Sequence, residues 1–93
     1  MGTSVYLGLI TADPGIEAKI QEKHHITLAE VREALQWPAQ AQTVEEDDPE
    51  HGHRWVAVGQ SAGDRLVIAW LLPLPPYMGS LADTWTLKSA RWL

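Results

Sequence analysis

Residues 66–72, Leu-Val-Ile-Ala-Trp-Leu-Leu, form the longest uninterrupted apolar run in the chain. Successive side chains of a strand point to opposite faces, and here both sets are apolar, Val67, Ala69 and Leu71 on one side against Leu66, Ile68, Trp70 and Leu72 on the other. A strand of that kind belongs in the middle of a sheet with both faces covered. Ser61-Ala62-Gly63-Asp64 is a hairpin turn joining it to a preceding strand over residues 53–60. Residues 84–88 alternate polar and apolar like a half-exposed last strand, and residues 74–80, with two prolines, read as the loop before it. A short strand over 42–45 is compatible with the pattern, beside the acidic run Glu45-Glu46-Asp47-Asp48-Pro49-Glu50.

The N-terminal half reads differently. Residues 5–11 are β-branched, aromatic and aliphatic, which suits a first strand, and Asp13-Pro14 then signals a helix start. Asp13 can cap free amides, and Pro14 at the first helical position loses nothing by lacking an N–H. Ile16 and Ile20 share one face of a short helix expected to end near Lys23. Thr27-Leu28-Ala29-Glu30 has the spacing of a capping box, followed by Leu28, Val31 and Leu35 on one face of a second helix. Pro38 disfavours helical geometry in its predecessor, so that helix is expected to stop at Trp37. The order β-α-α-β-β-β-β predicts an α+β fold, with two short N-terminal helices packed on an antiparallel sheet.

At 93 residues the chain has room for one domain, residues 1–93, with a thin core. The absence of cysteine excludes a disulfide scaffold, a thiolate zinc site and a cysteine nucleophile. No secretory leader, myristoylation pattern or membrane span is legible, which gives the expectation of a cytoplasmic protein without membrane contact. A net charge of −5 opposes broad attraction to phosphate backbones, so any nucleic-acid function needs a local basic cluster. Five tryptophans, with Trp37 and Trp92 beside element ends, exceed what a thin core requires, and they favour a protein partner and self-association.

The chain lacks a Gly-x-Ser-x-Gly elbow, a phosphate-binding Gly-rich loop and a zinc-helix histidine pair, so common hydrolase chemistries have no support. His51 and His53 would point the same way on a strand, near Asp47 and Asp48. A stable metal centre needs three or four ligands and supporting partners, and the segment reads better as a solvated loop. Arg54, Arg65 and Arg91 each stand near a strand end, where a guanidinium is either a rim charge or a phosphate contact. A simple hairpin register places Arg54 and Arg65 at opposite ends.

Glu22-Lys23-His24-His25-Ile26-Thr27 resembles the Lys-His-Gly-(Val/Ile)-(Ser/Thr) helix junction of BrnT-type toxins, a branch of the RelE-like superfamily. Arg54-Trp55-Val56-Ala57-Val58-Gly59 with Gly63-Asp64-Arg65-Leu66-Val67-Ile68 is similar to that family's Arg-hydrophobic-Gly strand, turn and apolar strand. Thr86-Leu87-Lys88-Ser89-Ala90-Arg91 resembles its Ile-Ser-Ala-Arg signature. The motifs occur in the family's order over about three quarters of the chain.

The resemblance implies a toxin of a type II toxin–antitoxin pair, an mRNA endonuclease neutralised by a cognate antitoxin; no cofactor or metal is expected, and the tryptophans point to a homodimer. It implies Arg54, Arg91 and His24 as catalytic residues and Lys23, Arg65 and Lys88 as substrate-binding residues. Strand parity from Trp85, Leu87 and Ser89 places Arg91 at the rim of the covered face. The chain departs from the pattern at His25, where the family has Gly, and at Gln60, where it often has Arg. The sequence also ends at Trp92-Leu93, without the basic helix that follows in the family. Those departures and the acidic balance keep open a noncatalytic interaction module of the same fold, or a divergent phage protein.

Overall fold

The structure, a computed structural model, describes residues 6–74 and 83–93. Val5 of the expected first strand and residues 75–80 of the expected loop lie outside the described residues. The elements follow the expected order: β1 (Leu9–Thr11), α1 (Pro14–His24), α2 (Leu28–Leu35), β2 (Gln42–Asp48), β3 (Gly52–Gln60), β4 (Leu66–Pro73) and β5 (Thr84–Trp92). The fold is α+β, with both helices packed on a five-stranded sheet of order β1-β5-β4-β3-β2. The sheet is mixed rather than antiparallel throughout, because β1 runs parallel to β5. A parallel neighbour requires a long connection, and the whole chain from α1 to β4 lies between these two strands.

Local signals explain the helices. Asp13 accepts a hydrogen bond from the Gly15 amide at 3.0 Å, and α1 ends where His25 turns into the left-handed region at φ 54°. The His25 amide donates to the Gln21 carbonyl there, closing the last turn. In the capping box of α2 the Glu30 amide donates to Thr27 Oγ1 at 3.1 Å and the Thr27 amide donates to Glu30 Oε1 at 3.0 Å. Thr27→Ala is therefore expected to lower stability by about 0.5–2 kcal/mol, measured by thermal melting. An unchanged melt would mean that the cap contributes nothing to the folded state.

The second helix stops at Leu35, before the expected Trp37. Tertiary contacts end it: Gln36 is extended, its side-chain Oε1 accepts from the Ile10 amide, and the Trp37 amide donates to the Leu7 carbonyl. Arg32 Nε donates to the Ile10 carbonyl on the same edge at 2.8 Å. The outer edge of β1 thus finds its partners in α2 and the chain that follows it, where an open edge would invite pairing with another molecule.

β4 is the central strand, as its composition requires, but its two faces are unequal. Val67, Ala69 and Leu71 are fully buried under the helices, with Ile10, Ile20, Ile26, Val31, Leu35 and Leu87 completing the centre of the core. Leu66, Ile68, Trp70 and Leu72 are only partly shielded or exposed, so that face is open among the described residues. The first four residues of the acidic run belong to β2, which extends to Asp48 rather than stopping at residue 45. β5 likewise runs on to Trp92 rather than stopping at residue 88, and it carries a register shift. Leu71 pairs with Leu87 while Trp70 pairs with Ser89, which leaves Lys88 as the extra residue of a β-bulge.

A cationic groove as candidate functional site

The bulge at Lys88 reverses the parity expected for the end of β5. Trp85 and Leu87 face the helices before it, and Ala90, also buried, faces them after it. Ser89 and Arg91 consequently join Trp70 and Ile68 on the open face, and Arg91 does not sit at the rim of the covered face. On β3, Arg54 shares the parity of Val56, which pairs with Trp70, and so lies on the same open face. The two guanidinium carbons lie 5.5 Å (Arg54) and 5.4 Å (Arg91) from the Trp70 ring centroid. At such distances the negative ring face attracts cations.

α1 packs against β5, and its last turns join residues of the open face in lining a groove of about 380 Å³. Lys19, Lys23 and His24 come from the helix. Lys88, Ser89 and Arg91 come from β5, Trp70 from β4, Arg54 from β3 and His51 from the turn between β2 and β3. Of the seven Lys and Arg in the chain, five, Lys19, Lys23, Arg54, Lys88 and Arg91, line this groove, and no Asp or Glu does. The other two are committed elsewhere: Arg32 to the β1 edge, and Arg65 stacked 3.9 Å over Trp92 beyond the hairpin turn. The net charge of −5 thus hides a local positive site. The comparisons identify no relative: no family model, curated protein or solved structure matches the chain.

The fold therefore assembles Arg54, Arg91, His24, Lys23 and Lys88 in one place and leaves Arg65 out. It adds Lys19, His51 and Trp70, which sequence reading did not place in a site. The i, i+4 spacing of Lys19 and Lys23 on one helix face was a usable signal for the first of these. Nothing local marks Trp70, and the sequence singles out His51 only beside His53, as a metal-ligand candidate.

The arginines are not equivalent. Arg54 donates through Nε to Glu46 at 2.7 Å and through Nη2 to Asp48 at 3.0 Å, with a side chain 18% exposed. Its fork is already engaged. Arg91 has no carboxylate within ion-pair distance among the described residues, and neither has Lys19, Lys23 or Lys88. Arg91 thus offers a planar set of donors, steadied by Trp70, to an incoming anion.

Asp48 organises the far side of the groove. One carboxylate oxygen accepts from the Glu50 amide at 2.8 Å, while the other meets both His51 Nδ1 and Arg54 Nη2 at 3.0 Å. The Glu50 amide first and the His51 ring second hold its carboxyl below the ordinary aspartate value, against the opposing effect of desolvation. His51 and His53 turn to different carboxylates. His53 instead meets Asp47 at 2.9 Å and Glu45 at 3.2 Å, and no cluster of potential metal ligands occurs among the described residues.

The Asp47 hydrogen bond raises the His53 pKa above the ordinary imidazole value, with desolvation opposing it. A raised folded-state value stabilises the β2–β3 hairpin at pH below the unfolded value of about 6.5, and the contribution disappears as pH rises through the folded value. In an NMR titration His53 should lose its proton at higher pH than an unstructured peptide does, and Asp47→Asn should move it back down. An identical titration in both proteins would contradict the assigned cause.

Proposed function

We propose that this protein is an RNA endonuclease, acting in the cytoplasm as the toxin of a type II toxin–antitoxin pair, in line with its resemblance to BrnT-type toxins. The observation that carries the reading is the gathering of five of seven Lys and Arg in one groove of a chain whose net charge is −5. Mutual repulsion opposes such a cluster, and an anionic ligand relieves it. Four of the five cations have no carboxylate partner among the described residues, which suits successive phosphates of a single strand.

In this reading Arg91 binds the scissile phosphate and meets the negative charge that develops on its oxygens as the ribose 2′-hydroxyl attacks. Lys19, Lys23 and Lys88 hold flanking phosphates as point charges, Arg54 shapes the floor, and His24 serves proton transfer. Arg65 belongs to the rim of the helix-covered face, and this reading leaves it out.

Two observations favour a second reading, a noncatalytic interaction module. Arg54 is neutralised by Glu46 and Asp48, and Trp37 is 58% exposed. An exposed tryptophan packed on Tyr6, away from the charged groove, suits a protein partner, either the antitoxin or a second copy of this chain. Expression with and without the product of the adjacent reading frame separates the readings. Growth arrest with broken mRNA, relieved by co-expression, supports the toxin. Unimpaired growth together with intact RNA in the presence of purified protein overturns it.

A further inference from the structure

Resting on the ribonuclease reading, we propose that His51, oriented by Asp48, is the general base that activates the ribose 2′-hydroxyl in this groove. His51 stands in the turn between β2 and β3, where its exposed ring lines the groove together with Arg91. Its Nδ1 lies 3.0 Å from Asp48, and a carboxylate in that position accepts a hydrogen bond from Nδ1–H and leaves Nε2 as the proton acceptor. Asp48 is itself immobilised by the Glu50 amide and Arg54. An imidazole steadied on one nitrogen by a fixed carboxylate is the arrangement that accepts a proton well, because the carboxylate stabilises the imidazolium that results. This also gives Arg54 a task its ion pairs would otherwise deny it, holding Asp48 in place.

The protons and bonds balance without a metal or a redox partner. His51 Nε2 takes the 2′-hydroxyl proton as the O2′–P bond forms, and Arg91 faces the charge gathering on the phosphate oxygens. The P–O5′ bond then breaks, and O5′ takes a proton from the imidazolium of His24 on α1. The products are a 2′,3′-cyclic phosphate and a free 5′-hydroxyl. His51 shares the groove with Arg54 on β3, Lys88 and Arg91 on β5, and Lys19, Lys23 and His24 on α1, so the surrounding charge is cationic apart from the Asp48 and Glu46 that pair with Arg54.

The test is single-turnover cleavage of a mixed-sequence, single-stranded oligoribonucleotide, with and without added ribosomes, across pH 4.5 to 9. It compares wild type, His51→Gln, Asp48→Asn and, as a control outside the groove, His53→Gln. His51→Gln is expected to lose about 100-fold or more and to flatten the rise of rate with pH on the acid side. Asp48→Asn is expected to lose less and to shift that rise, whereas a purely structural defect would lower the rate equally at every pH. His53→Gln should match wild type. Wild-type cleavage that survives His51→Gln within about threefold, with the acid limb intact, overturns the role of His51 alone. A wild-type protein that leaves the RNA whole in both conditions overturns the ribonuclease reading, and the base with it.

Discussion

Replacing Arg91 by lysine is expected to lower RNA cleavage by about 100-fold, the loss that follows removal of one well-placed donor to a developing oxyanion. The reason lies in its position. Arg91 is on the open face opposite Ile68, its guanidinium lies 5.4 Å from the Trp70 ring centroid, and no carboxylate competes for its donors among the described residues. Lysine keeps the charge but loses the planar fork that meets two phosphate oxygens at once. Thermal melts should barely change, because Arg91 is exposed and makes no ion pair with a described residue. Arg54→Lys should behave in the opposite proportion. It breaks a half-buried guanidinium away from Glu46 and Asp48, so stability falls along with activity. Full cleavage by both variants would make these arginines rim charges and end the carry-over of catalytic roles from the toxin family.

Gly59→Ala is expected to cost about 3 kcal/mol or more of stability, at the upper end of what overpacking a core does. A methyl group on Gly59 would run into the Ala34 carbonyl on α2 and come within 2.8 Å of Leu35 Cδ2. The carbonyl is backbone inside a helix, so relief requires α2 to move away from β3 as a unit. Val31, Ala34 and Leu35, all buried, would be uncovered by that motion. Gly63→Ala is the natural control, since the nearest atom to a methyl group there is Ser61 Oγ at 4.0 Å. Denaturant unfolding of the two variants gives the comparison. Equal stabilities would mean that the helix rests less closely on the sheet than the structure describes.

Elements of this protein were legible where neighbours in the chain determine them. Asp13, Thr27 and Glu30 set both helix starts through hydrogen bonds within a few residues, Pro14 adds its fixed φ, and the doubly apolar run at 66–72 required a central strand. Such signals depend on local geometry and side-chain hydrophobicity alone, so a reading of the chain recovers them. The residues at positions 23, 24, 54, 88 and 91 were legible as residue types through resemblance to a toxin family.

Only the tertiary structure decided what those residues share. α2 ends at Leu35 because Gln36 and Trp37 bond to the first strand, a contact with residues far away in the chain. The single extra residue at Lys88 turns Arg91 onto the face of Trp70 and Arg54, and a one-residue slip in a strand always exchanges its two faces. Nothing in the alternation of residues 84–88 records that bulge, because its cause is the pairing with β4 across the sheet. His51 and Lys19 enter the groove for the same reason. They lie far from β5 in sequence, and pairing and packing bring them to it after the local elements have formed.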